Sequence, residues 1–162
     1  MKAELKKLKV YKGLSHDSTA FNAELWIDGK LAAYCENDGH GGDNFIQYVD
    51  RMHGKSAFEA AFAEWTGAMP PMPIEDEFLE GRGMEPIPMD DELWVGLEVE
   101  RLEEERFWKR RCSKTMCVIL KTHKPGQFTQ YKAWPYSPDA AQELRRKHGD
   151  DLVEIINERF LK

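Results

Sequence analysis

The sequence predicts an α+β protein, with an antiparallel or mixed sheet built from an N-terminal three-stranded meander and a second hairpin, packed against helices. Three observations carry this. Residues 21–36 alternate apolar and polar side chains around Asp28-Gly29, as a hairpin with one buried face requires. Residues 115–134 repeat the arrangement around Pro125-Gly126. Helix starts and apolar stripes lie between and after these hairpins, without the strand–helix–strand alternation that builds a parallel sheet.

Taken in order, Leu5 to Leu14 reads as an edge-like first strand, with Leu8 and Val10 on one face and lysines that discourage stray pairing. Ser15 to Thr19 is a polar loop. Phe21, Ala23, Leu25 and Ile27 form the buried face of the second strand, and Asp28-Gly29 suits a type I′ turn. Lys30 to Glu36 returns, and counting outward from the turn sets Leu25 opposite Ala32 and Ala23 opposite Tyr34. Asn44 is a fitting N-cap for a short helix from Phe45 to about His53, closed by Gly54. Ser56 and Glu59 form a capping box for a helix whose stripe is Phe58, Ala61, Phe62 and Trp65 and whose end is Gly67.

Two Pro-rich stretches, 69–73 and 85–88, then bracket the acids of 75–80, predicting an irregular arm at about 68–89 with a single turn at its centre. Asp90 or Asp91 starts a helix to about Arg111, acids first and bases last as the macrodipole favours. Residues 115–122 and 128–134 make the second hairpin, across a type II turn at Lys124-Pro125-Gly126-Gln127. Ser137-Pro138 starts a helix to His148. Gly149 breaks it, and Asp151 caps a final helix with Leu152, Ile155, Ile156 and Phe160 buried.

The 162 residues suffice for a single α+β domain, 1–162, with the arm as its appendage. A net charge of −6 argues against bulk affinity for nucleic acid. The charged N-terminus lacks a leader's apolar core, and no apolar run approaches the roughly 18 residues of a membrane span. Three cysteines (Cys35, Cys112 and Cys117) without a secretory signal fit reduced thiols in a cytoplasm. Cys112 and Cys117 are too few ligands for structural zinc.

The chemistry-bearing residues concentrate in the loop Asn37, Asp38, Gly39, His40, Gly41, Gly42, Asp43 and Asn44. In a meander, the 15–19 turn and the 36–44 exit fall at the same end. His16, Asp17, Asp38, His40 and Asp43 would then suit a divalent metal, with His16, Asp38, His40 and Asp43 as the core ligand set. The glycines would let backbone amides approach an anion. Equally, glycines beside Asn and Asp are what any tight reversal needs. Ser15-His16-Asp17 is no catalytic triad, because adjacent residues do not converge as nucleophile, base and orienter. A Cys35 thiolate beside His40 or His16 is a further arrangement, with no sign of a lowered pKa.

Charge is segregated along the chain. Residues 75–92 are dominated by acids, whereas the charged residues from 109 to 132 are all basic: Lys109, Arg110, Arg111, Lys114, Lys121, Lys124 and Lys132. Interleaved with Phe128, Tyr131 and Trp134, they would meet a phosphate backbone and stack bases. The competing reading folds the acidic arm over the basic hairpin and neutralises it.

Ser15, Thr19, Phe21, Ala23, Leu25 and Asp28-Gly29-Lys30, followed by Asn37-Asp38-Gly39-x-Gly41-Gly42, resemble the opening of small uncharacterised proteins of tailed bacteriophages and prophages. The resemblance covers about the first third of the chain. It implies a phage or prophage origin and carries over no catalytic residue. The leading expectation is a non-catalytic accessory protein of the bacterial host cytoplasm that binds a host or phage macromolecule, a protein in the first place, as an inhibitor or modulator, with no cofactor. The alternatives are a metal-dependent hydrolase or nucleotide-binding protein using the 36–44 loop, and a nucleic-acid binder using the basic 109–132 segment.

Overall fold

Period-two alternation puts Phe21, Ala23, Leu25 and Ile27 on one side of their strand, and all four are buried in the structure. The structure is a computed structural model that describes residues 1–51, 54, 56–73 and 85–161. It divides into two compact units, Met1–Glu100 and Arg101–Lys162.

The first unit holds a four-stranded antiparallel meander: β1 (Ala3–Val10), β2 (Phe21–Ile27), β3 (Lys30–Asn37) and β4 (Phe45–Tyr48), in that spatial order. Asp28 and Gly29 take φ of 48° and 79°, as a type I′ turn requires. The hairpin register departs from the simple count, however. Trp26 pairs with Leu31, but Leu25 pairs with Ala33 and Ala23 with Cys35, because the ladder shifts between Leu25 and Trp26. Ala32 is the extra residue of this bulge, and both Ala32 and Ala33 are fully buried.

The helix expected from Phe45 is instead strand β4, whose Phe45, Ile46, Gln47 and Tyr48 pair with Glu36, Cys35, Tyr34 and Ala33. A run of aromatic and β-branched residues fits a pleated surface better than a helical turn. Asn44 is therefore not an N-cap, and the meander gains a fourth strand. His53, the expected helix end, lies outside the described residues.

Helix α1 (Ala57–Gly67) begins at Ser56, whose hydroxyl accepts from the Glu59 N–H at 2.9 Å. Only half of the capping box forms. Glu59 Oε2 is buried without a hydrogen-bond partner. Asp50 takes up other donors of the first turn, accepting from the Ala57 and Phe58 N–H groups and from the Ser56 hydroxyl. The expected stripe is turned inward, with Phe62 fully buried and Trp65 stacked on it at 5.8 Å. The arm is closed at its base by a two-way backbone bridge between Met72 and Ile87, and its acidic centre and expected turn (75–80) lie outside the described residues.

Helix α2 runs from Asp91 to Cys112, with the Asp90 carboxylate accepting from the Leu93 N–H. Its first ten residues belong to the first unit. Trp94 meets Phe62 and Trp65 edge-on, while Asp91 accepts from Thr66 Oγ1 and Tyr48 Oη, each at 2.8 Å. These bonds fix the start of the helix against α1 and β4.

The second unit carries a three-stranded antiparallel sheet of β5 (Met116–Leu120), β6 (Thr129–Tyr131) and β7 (Leu152–Ile155), ordered β6-β5-β7. The type II turn forms, with Gly126 at φ 77° and the Gln127 N–H donating to the Lys124 carbonyl. Helix α3 (Pro138–His148) is capped by Ser137 and packs Ala140, Ala141 and Leu144 onto Met116, Val118 and Ile155. The expected final helix is mostly something else. A 3₁₀ turn (Gly149–Asp151) leads into β7, and only Asn157–Phe160 is helical, as α4. Leu152, Val153 and Ile155 complete the sheet on β5, where their shape fits better than on a helix. Asn157, fully buried, locks this end: its amide donates to the Cys112 and Thr115 carbonyls, and its oxygen accepts from the Cys117 N–H.

Candidate functional site

The meander brings the 15–19 and 36–44 loops to one end of the first unit, as its topology demands. A single carbonyl organises the meeting. Gly39 O accepts from the N–H groups of His16, Asp17 and Ser18 at 2.9, 3.1 and 3.4 Å. Asn37 completes the junction. Its oxygen accepts from the Ser18 hydroxyl at 2.7 Å and the Gly39 N–H at 2.8 Å, while its amide donates to Gly42 O at 2.9 Å and Asn44 Oδ1 at 3.1 Å. Ser18 Oγ in turn accepts from the Gly41 N–H, and Asn44 donates to the Glu92 carbonyl at the start of α2. Gly39 cannot be another residue, because its φ is 88° and a Cβ would be driven into the Leu14 carbonyl.

Two depressions flank this junction. The larger, about 860 Å³, runs from His16, Asp17 and Ser18 to the first turns of α2. Its described lining carries five carboxylates, Asp17, Asp43, Asp90, Glu92 and Glu100, and no lysine or arginine. The crowding of negative charge is felt by Glu92, whose carboxyl is pushed above its ordinary range by partial burial and by Asp43, Asp90 and Asp91. The smaller depression, about 670 Å³, opens on the other side, among Tyr11, Leu14, Glu36, Asp38, His40 and Phe45. Phe21, Asn37, Gly42 and Asp43 line both, so the 36–44 loop contributes to the wall of each.

The residues proposed as metal ligands do not assemble as expected. His16 and His40 do meet, with rings stacked at 5.2 Å and 15°. Yet among the described residues no three His, Cys, Asp or Glu side chains converge as ion ligands, so His16, Asp38, His40 and Asp43 do not form the cluster. The loop's own hydrogen bonds explain part of this, since Asp38 Oδ1 is taken by the His40 N–H. They also explain why the glycine-rich stretch does not offer the expected anion nest. The N–H groups of Gly39, His40 and Gly41 already donate to Asn37, Asp38 and Ser18. The thiolate pairing fails too: Cys35 is buried, and desolvation pushes its thiol up to about 12. Asp90, Glu92, Glu100, Tyr11, Leu14 and Phe45 entered no sequence-based site, because nothing in their spacing ties them to the loop.

In the second unit, Lys109, Arg110, Lys114, Lys121, Lys124 and Lys132 are exposed, but the aromatics meant to stack bases are engaged. Tyr131 and Trp134 pack on the Met116 cluster, and Phe128 packs with Trp108 on the Cys112 cluster. Arg111 is held over the Phe107 and Phe128 rings at 4.6 and 5.1 Å while donating to Gln130 at 2.8 Å. Phe128, Tyr131 and Trp134 are thus half-buried, each packed on one side against its own cluster. No described helix is long and apolar enough to cross a membrane.

Comparison with known proteins returned no matching family model, no matching curated protein and no matching solved structure.

Proposed function

We propose that the chain is a non-catalytic binding protein that captures a lysine- or arginine-bearing segment of a partner protein in the acidic cleft of its first unit. The observation that carries this is the cleft's lining, five carboxylates without a described lysine or arginine. Such a concave surface concentrates cations and steers a basic partner toward it, while repelling acidic ones. The raised carboxyl of Glu92 is consistent with the same reading: burial is the larger cause of the shift, and an approaching cation would relieve the remainder, which comes from Asp43, Asp90 and Asp91. The interlocked loops favour binding over hydrolysis: the Ser18 hydroxyl is used both as donor and as acceptor, and the Cys35 thiol is sealed. The resemblance carried by the motif across 15–42 supports an accessory role in a phage or prophage, with a host or phage protein of the bacterial cytoplasm as the proposed partner.

Fluorescence anisotropy with a labelled peptide alternating lysine and serine tests the reading. The expected result is saturable binding that weakens as salt rises and that drops at least about tenfold in the Asp43→Asn, Glu92→Gln, Glu100→Gln triple variant. Equal binding by the triple variant, or equal binding of a glutamate–serine peptide to the wild type, overturns it.

A further inference from the structure

The smaller depression differs from the acidic cleft in one physical respect: its rim holds large apolar side chains in water. Tyr11 is 40% exposed, Leu14 56% and Phe45 59%. Tyr11 and Leu14 come from the turn just after β1, where the Leu14 N–H donates to the Tyr11 carbonyl, and Phe45 is the first residue of β4; all three converge on one concavity. Behind them Ala20 and Phe21 are fully packed, so the exposed side chains sit on a rigid floor. Three carboxylates share the lining, Glu36, Asp38 and Asp43, together with His40. Lys9 stands in the same cross-strand row, opposite Asn22 on β2, but does not line the cavity.

An apolar hollow edged by acids selects for both properties at once. Burying an apolar side chain against Tyr11, Leu14 and Phe45 supplies the driving force. The carboxylates penalise an acidic neighbour and favour a basic one. The shared wall of Asn37, Gly42 and Asp43 lets one extended segment lie across both depressions. We propose that this depression is an anchoring subsite for a partner-protein segment that presents a phenylalanine or leucine side chain beside lysine or arginine. The proposal rests on the acidic cleft being the cation site, and it adds what the partner must carry next to its charges.

Isothermal titration with three nine-residue peptides separates the two levels. One alternates lysine with phenylalanine and leucine, the second replaces each apolar residue by serine, and the third replaces each lysine by glutamate. The first binds about tenfold more tightly than the second, the increment expected for burying one such side chain. In Leu14→Ser and Phe45→Ser proteins the two affinities become equal, with the lysine–serine peptide unchanged. Both residues are exposed, so the variants keep the fold, which a thermal melt checks. Equal affinities in the wild type, or a glutamate peptide that binds as well as the lysine one, overturn the apolar anchor. Loss of lysine–serine binding in the wild type refutes the cleft reading instead. A wild-type dimer in light scattering that becomes monomeric with Leu14→Ser assigns the hollow to a second copy of the chain and also overturns the proposal.

Discussion

Ser18 and Asn37 hold each other through a 2.7 Å hydrogen bond, and that contact makes one structure of the loop before β2 and the loop after β3. The Asn37 side chain serves five partners, Ser18, Gly39, Gly42, Asp43 and Asn44, in addition to closing β3, so its removal strands several groups. Asn37→Ala is expected to cost about 1–3 kcal/mol in chemical denaturation. It should also speed amide exchange at Gly39 and Gly41, while Asn37→Asp, which keeps the accepting oxygen, falls between. Wild-type exchange at Gly39 in the alanine variant would refute the role of Asn37 as the hub.

Gly39 and Gly42 stand three residues apart in the same loop and should behave differently. A Cβ at Gly39 meets the Leu14 carbonyl and lies 2.9 Å from Ala20 Cβ, at positive φ; a Cβ at Gly42 meets nothing within 4 Å. Gly39→Ala should destabilise by about 1–3 kcal/mol and Gly42→Ala by less than about 0.5 kcal/mol. Equal melting temperatures for the two variants would contradict the geometry.

Asp50 and Glu92 should give pH dependences of opposite sign. Asp50 is held below its ordinary range by the Ser56 hydroxyl and the Phe58 and Ala57 N–H groups. Its stabilisation is present above the unfolded-state pKa and is lost as pH falls through the folded one. Asp50→Asn should therefore lower the melting temperature at pH 7 and make little difference near pH 3. Glu92 is shifted upward, so the folded state favours its protonated form, and stability is lost as pH rises through the carboxylate range. Glu92→Gln should raise the melting temperature at pH 7 by no more than about 2 °C, solvent screening being strong, and leave it unchanged near pH 3. Shifts of the same sign in the two variants would exclude these causes.

Asn157 joins the end of α2, the start of β5 and α4 from a fully buried position. Asn157→Ala leaves two carbonyls and an N–H without partners and should cost about 2–4 kcal/mol. Labelling of the buried Cys112 and Cys117 thiols by a thiol reagent should accelerate in parallel. Unchanged labelling together with unchanged denaturation would show that the interior tolerates the gap.

Local patterning reached some features of this chain and stopped at others. The Asp28-Gly29 turn, the Ser137 cap and the Phe62–Trp65 stripe each depend on residues a few positions apart, and each forms. The hairpin register did not follow from counting because Ala32 is bulged into the core, which depends on what packs against it. Residues 45–48 and 152–155 carry mixed local preferences, and a waiting sheet edge decided both. The meander's topology located the loop pair. The acidic wall across from it was hidden, because Asn44 meets Glu92 over a separation of 48 residues.

The three amides gathered on the Gly39 carbonyl have a consequence for kinetics. Loops that would otherwise be ordered by a ligand are ordered by the chain itself, so their conformational entropy is lost during folding, before any partner arrives. Association at either depression then needs little rearrangement, its rate is governed by encounter and charge, and differences between partners appear in how long they stay.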